Sequence, residues 1–475
     1  MLPALGILGM KKHLYLGHPK EVSEVLSRHE CAVPSWGTVD LGVVRAYCGF
    51  GRPLAYKQYS PNFTLKYYLG KVLLWSASRT DATQCLPKRE TEKRSPRIYL
   101  SLGSLPYVDN RSGIPRVAKE LNRNGLMCSE ANCVPIYPDP RSGTYRIAKE
   151  WVKDQKLDAY LDLDMSTEGD PEVTVQSSDW LIHTMINSNE IAFMKPWLDA
   201  FRQAGGYMGF VCHDLIPEDY PQFCRKRDIR LFQRWLRQIS EADALFTVSQ
   251  ATKDSYLAWV KRNNIPSVPP VGVFHLGANF KSMEGAVTAL PKALQERPFF
   301  LQVSTIEPRK GYAQLIHAFE LLWKEGVDVN LALVGREGWK VGKLCRYIRN
   351  HPEFGKRLFW FNWATDEELG ALYQHSYAVV VTSEIEGFGL TVSEGLHYGK
   401  ELLVRDIPVF REVAGDNASY FSGLRPEDLA EGLKKMLAPE RARKVRPATH
   451  SPALSWAESF QQFLSQIRKF DHARH

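Results

Sequence analysis

Two parallel α/β sheets facing one cleft are the architecture this sequence predicts, and three observations carry that prediction. Between residues 98 and 249, short apolar runs alternate with amphipathic stretches. A second series of the same kind runs from 299 to 406. Between the two series, near residues 285–297, the stretch EGAVTALPKALQERP is rich in turn and linker residues. Strand–helix alternation on this scale means parallel sheets covered by helices, one sheet per series.

In chain order, the first 95 residues show weak periodicity and close on LPKRETEKRSPR, a charged, proline-flanked segment that reads as a linker. IYLSL (98–102), GYMGFVCHD (206–214) and ALFTVS (244–249) are apolar without alternation, as strands buried on both faces are. Helical patterns such as PRVAKELNR and FCRKRDIRLFQRWLRQI lie between them. The second series comprises FFLQVST (299–305), VNLALVG (329–335), RLFWFN (357–362), AVVVTS (378–383) and LLVRD (402–406), each followed by a turn signal and a helix-like segment. RSGIPRVAKE (111–120) and RSGTYRIAKE (141–150) share seven of ten residues, but no third copy exists to make a repeat array.

Bulk properties bound the function. A chain of 475 residues that is 44% hydrophobic has room for two or three cores. The net charge of +8 is moderate and is not gathered into a nucleic-acid motif, so no nucleic acid is expected; a polyanionic small molecule or an anionic membrane surface fits equally well. The eight cysteines are scattered, with no Cys-x-x-Cys pair and no zinc-ligand spacing, which argues for a reducing compartment and against a structural metal. The apolar start MLPALGILGM is short and is followed rather than preceded by lysines, unlike a secretory signal. No run reaches the ~18 apolar residues that span a bilayer. The expected location is cytoplasmic, or peripheral on the inner face of the cytoplasmic membrane. In FCRKRDIRLFQRWLRQI, Phe232, Trp235, Leu236 and Ile239 recur at helical spacing beside Arg225, Lys226, Arg227, Arg230, Arg234 and Arg237. That is the pattern of an interfacial helix; the alternative is a stripe packed on the domain's own core.

The ends of the strands carry the candidate chemistry. Arg309 and Lys310 follow FFLQVST, and two adjacent cations at a strand's carboxyl end suit a diphosphate. AVVVTS runs into EIEGFGLTVSE, where a continuous helix would carry two interior glycines at a cost of about 1 kcal/mol each. The cheaper arrangement is a loop ending near Gly389 and a helix carrying Glu394. Gly387 and Gly389 then let the backbone approach a ligand, and the helix start offers free N–H groups to an anion. Glu394, one turn in, is placed to bond a ribose diol, and Glu386 stays in the loop nearer the reacting end. His213 and Asp214 end another apolar strand, and Gly113 lies at the strand–helix turn RSGIPRV.

These motifs together resemble glycosyltransferase family 4, whose members are retaining enzymes of the GT-B fold. Glu386 and Glu394 around Gly387-Phe388-Gly389 resemble that family's E-x7-E motif. IEPRKGYAQLIHAF (306–319), LVGREGW (333–339), TDEELGALY (365–373) and RDIPVFREVAG (405–415) follow its order, and the resemblance covers residues 98–437. It implies that Arg309 and Lys310 bind the donor diphosphate, Glu394 the ribose, and Glu386 with the Gly387, Phe388, Gly389 and Leu390 backbone the donor sugar. His213 would lie beside the anomeric carbon, and Gly113 would border the donor phosphates and acceptor. The family often has Pro where Thr382 and Thr391 stand, and Gly-x-Pro-Val where this chain has Gly399-Lys400-Glu401-Leu402. The implied organisation is an N-terminal extension (1–95), a Rossmann-like acceptor domain (96–285), a Rossmann-like nucleotide-sugar domain (286–440), and a tail (441–475) with a helix packing back on the acceptor domain. The implied function is hexosyl transfer, mannosyl being the favoured case with GDP-mannose as donor, to a glycan or lipid-linked glycan acceptor in bacterial surface polysaccharide or lipopolysaccharide assembly. No metal and no cofactor beyond the donor are expected. A non-catalytic nucleotide-sugar regulator and a sugar-nucleotide epimerase of the same fold are the competing readings.

Overall fold

The structure is a computed structural model that describes residues 87–90, 94–107, 112–140, 142–278, 290–438 and 453–472. The apolar start and residues 279–289, in the segment between the two series, lie outside the described residues.

The strands are β1 (Lys88–Arg89), β2 (Ile98–Ser101), β3 (Cys133–Asp139), β4 (Thr144–Ile147), β5 (Thr174–Val175), β6 (Trp180–His183), β7 (Tyr207–Cys212), β8 (Ala244–Thr247) and β9 (Val271–Val273) in the first half. The second half holds β10 (Phe299–Val303), β11 (Asn330–Val334), β12 (Leu358–Phe361), β13 (Ala378–Val381), β14 (Glu401–Arg405) and β15 (Ser419–Phe421). The first sheet has the order β4-β3-β2-β6-β7-β8-β9 and the second β12-β11-β10-β13-β14-β15. All neighbours in the two sheets are parallel except β3 and β4. The central strands are buried along their length because helices cover both faces, so their sequences read as unbroken apolar runs. Strands β3 and β6 escaped the sequence reading: CVPIYPD contains two prolines and WLIH is only four residues long.

The helices that matter below are α1 (Gly113–Met127), α2 (Lys226–Ile239), α3 (Gln250–Arg262), α4 (Leu390–His397), α5 (Pro408–Ala414) and α6 (Trp456–His472). Helix α6 returns to the first sheet, where Phe463 packs 4.9 Å from the rings of both Phe246 and Phe274.

Two expectations need correction. Residues 86–97 do not behave as a linker where they are described. Lys88–Arg89 pairs with Thr174–Val175, and Arg94 makes a two-pronged bond to the fully buried Asp179, at 2.8 and 2.7 Å. The apolar stripe of α2 is not free for a membrane: Phe232, Trp235, Leu236 and Ile239 are buried against Phe210, Leu245 and Tyr256. Burying each such side chain is worth roughly 1.5–3 kcal/mol, so the core outcompetes a lipid surface for that face. Among the described residues, no helix is long and apolar enough to cross a membrane.

Candidate active site

A cleft of about 590 Å³ opens between the carboxyl ends of the two sheets. It is lined from the first half by Gly113, Arg116, His213 and Asp214, and from the second by Glu307, Arg309, Lys310, Arg336, Trp339, Asp366 and the Glu386–Leu390 loop with Glu394. Every candidate residue read from the sequence lies on it.

Past β10, Pro308 opens a single helical turn, Pro308–Lys310, which sets Arg309 and Lys310 toward the cleft. Gln302 on β10 donates to the Lys310 carbonyl, and the Thr382 hydroxyl donates both to that carbonyl at 2.7 Å and to the Gln302 side chain at 2.9 Å. Thr391 likewise donates to the Val303 carbonyl at 2.7 Å. These are the two positions where the resemblance would put proline, and each hydroxyl ties the ligand loop to a strand end.

Arg309 and Lys310 converge on one carboxylate, Glu386. Arg309 donates to it at 2.8 Å, to the Ile385 carbonyl at 3.0 Å and to Glu307 at 3.0 Å, while Lys310 bonds the other Glu386 oxygen. The three side chains are only 11–14% exposed. Burial pushes the Glu386 carboxyl up, but Lys310 and Arg309 overcome that and hold it at about 2. Burial, and then the neighbouring Arg309, press the Lys310 pKa downward. Burial raises both Asp214 and Glu307, which share this surrounding. The resemblance puts Glu386 on the donor sugar and the two cations on the diphosphate; in the structure they pair with one another.

Glu394 is buried on α4, which starts after Gly389 (φ +95°) as the glycine spacing required. Tyr373 donates to its Oε2 at 2.5 Å, and Arg116 of α1 bonds its Oε1 from across the cleft. Gly113, at the start of α1, faces Leu390. His213 is buried, and its Nε2 lies 2.9 Å from the Thr184 carbonyl. Burial lowers its pKa to about 4 despite that bond, so the ring is a neutral N–H donor. The main chains of His213 and Gly387 touch.

Several residues that hold the halves together were not read from the sequence. Ser249 and Thr252, at the start of α3, donate to the Gly387 carbonyl at 2.6 and 3.0 Å. Glu412 on α5 accepts from the Gln250 and Ala251 N–H groups at 2.6 and 3.0 Å, and lies 2.7 Å from His275. Trp339 donates to the Phe223 carbonyl at 2.7 Å. Arg116 had one available signal: a cation in the first turn of a helix, where the dipole favours anions.

Two Rossmann-like sheets whose strand ends face one polar, cation-bearing cleft define a GT-B architecture. Residues 290–448 match the family model described as glycosyl transferases group 1. It is 32% identical over 410 residues to a serotype-specific mannosyltransferase WbdA of Escherichia coli, an alignment covering 83% of this chain and 48% of that protein. It is also 32% identical over 214 residues to the O-antigen chain mannosyltransferase B of Escherichia coli, covering 43% of this chain and 54% of the other. The chain thus spans about half the length of the curated relatives it matches. Among solved structures, the N-terminal domain of Candida albicans trehalose-6-phosphate phosphatase shares the fold, with a TM-score of 0.55 at 14% identity, covering 81% of this chain and 99% of that one.

Proposed function

We propose that this protein is a retaining hexosyltransferase that moves mannose from a nucleoside diphosphate donor, GDP-mannose, to a glycan acceptor of the O-antigen type, carried on a lipid at the inner face of the cytoplasmic membrane. The observation that carries the reading is the buried Arg309–Lys310–Glu386 cluster, set in one cleft with Glu394. Two cations at a strand end are suited to a diphosphate, and a buried carboxylate one turn into α4 is suited to a ribose diol. The names of the mannosyltransferases that this chain resembles support the choice of sugar.

On this reading the diphosphate replaces Glu386 on Arg309 and Lys310, and Glu386, released, bonds the sugar hydroxyls beside it. As the bond from the anomeric carbon to the phosphate oxygen breaks, the acceptor hydroxyl oxygen bonds that carbon on the same face and passes its proton to the departing phosphate oxygen, while the two cations take up the charge that grows on the leaving group. His213 is neutral and fixed by Thr184, so it orients the sugar without repelling an oxocarbenium-like centre. The cations serve where other enzymes use a metal ion, and no metal is required.

The test is a thermal-shift panel of nucleotide sugars, followed by transfer to a mannose-terminated acceptor. A ligand at 100 times its Kd adds about 2.7 kcal/mol, enough to see. Retention is read from the anomeric configuration of the product by NMR. Binding without transfer favours the regulator, and a donor converted to its epimer favours the epimerase.

A further inference from the structure

The ion pair between Arg116 and Glu394 has no place in the reading above, although it occupies that reading's ribose site. Arg116 belongs to the first turn of α1 and Glu394 to α4, so the contact spans the cleft. Of the two carboxylate oxygens, Oε2 is held by Tyr373 from the same half of the molecule, and Oε1 by Arg116 from the opposite half. A diol that bonds Glu394 from the cleft therefore meets Arg116 at the oxygen it needs.

The charges show where Arg116 is then wanted. Around Arg309 and Lys310 stand three carboxylates, Asp214, Glu307 and Glu386, and Arg336 lines the same wall of the cleft. A diphosphate brings at least two more negative charges to a site that already holds these carboxylates, so a further cation beside it is favourable. Arg116 is the one cation that the first half contributes to the described cleft lining. Its own helix start carries no acidic residue and presents N–H groups of positive potential, which favour an anion in front of it.

We propose that Arg116 is an exchange residue: it pairs with Glu394 across the cleft until the nucleoside takes that carboxylate, and then pairs with the donor diphosphate. The inference rests on the nucleotide-sugar reading. It makes the nucleoside a competitor of Arg116 and the diphosphate its replacement partner. The sugar-and-base fragment alone should therefore bind weakly, and the two phosphates should add an unusually large increment.

Calorimetry on the full chain tests this with two series, guanosine, GMP and GDP, and uridine, UMP and UDP, on the wild type and Arg116→Ala. Expected in Arg116→Ala is a nucleoside that binds several-fold more tightly and a diphosphate that binds more weakly. The ratio of the two dissociation constants should then fall by about tenfold or more, the size of one charge-assisted bond. Arg116→Gln, which keeps most of the stem and removes only the charge, serves the same comparison if the alanine variant folds poorly. An unchanged ratio overturns the exchange, as does a parallel loss of nucleoside and diphosphate, which is what a merely structural role gives. A wild type that binds neither diphosphate overturns the nucleotide-sugar reading itself, and the exchange with it.

Discussion

Gly387 and His213 meet main chain to main chain across the cleft: a Cβ at position 387 would lie 1.8 Å from the His213 carbonyl oxygen. Gly387→Ala must push the loop and the strand end apart by more than 1 Å. A displacement of about 1 Å at a reacting centre costs on the order of 10²-fold in rate. Each sheet keeps its own core, so the variant is expected to fold with transfer reduced by at least that factor. A Gly387→Ala enzyme with wild-type kcat would show that the two main chains separate during turnover.

Lys310→Ala and His213→Ala are expected to fail differently. On the proposed reading Lys310 contacts the diphosphate before and during reaction, so its loss is expected to raise donor KM and lower kcat. On the same reading His213 orients the sugar but holds no part of the nucleotide. His213→Ala is expected to lower kcat by on the order of 10²-fold with nucleoside diphosphate affinity nearly unchanged. Calorimetry with the diphosphate product, beside transfer rates, separates the two. Loss of nucleotide binding in His213→Ala, with Lys310→Ala intact, would reverse the placement of the donor.

The buried His213 also makes a pH prediction. Its pKa falls from 6.5 unfolded to about 4 folded because burial disfavours the imidazolium. Between those values the unfolded chain holds the proton and the folded chain does not, so stability drops as pH falls from 6.5 toward 4. At about 1.4 kcal/mol per unit the contribution reaches roughly 3 kcal/mol. His213→Asn should flatten the dependence of the urea midpoint on pH in that window; an unchanged slope would mean that the ring takes up its proton in the fold.

Transfer is expected to survive chelation. With Arg309 and Lys310 carrying the leaving-group charge, dialysis against EDTA should leave the rate within about twofold, whereas a metal-dependent enzyme would stop and be restored by Mg²⁺ or Mn²⁺.

Binding of α2 to anionic membranes must be electrostatic, because its apolar stripe is spent on the core. Arg227, Arg230 and Arg237 remain exposed on its outer face. Cosedimentation with anionic liposomes at low salt should disappear at high salt, where the Debye length shrinks to about 3 Å. It should weaken when those three arginines become glutamine, and binding that persists at 1 M salt would point to a different, apolar contact.

What the sequence determined by itself was local. Apolar runs marked the central strands of both sheets, because a strand buried on both faces has no polar side to show. Gly389 marked the start of α4, because only glycine takes that backbone conformation cheaply, and the position of Arg309 and Lys310 past β10 put them at the cleft. The tertiary structure decided which charges meet. Glu386 pairs with a cation 77 residues away, and Glu394 with one 278 residues away. No spacing rule reaches that far: the first pair is set by β10 and β13 lying side by side in one sheet, the second by how the two sheets face each other. The two related decapeptides make the same point. RSGIPRVAKE opens helix α1, while RSGTYRIAKE forms a turn, strand β4 and the start of a short helix at Lys149. In the second copy Arg146 bonds the buried Asp139 at 2.7 Å and Thr144–Ile147 pairs with β3; in the first, Pro115 cannot donate to a ladder and sits in a first helical turn instead. Seven shared residues do not fix a conformation when the neighbouring strand, supplied by the rest of the fold, offers one copy a partner.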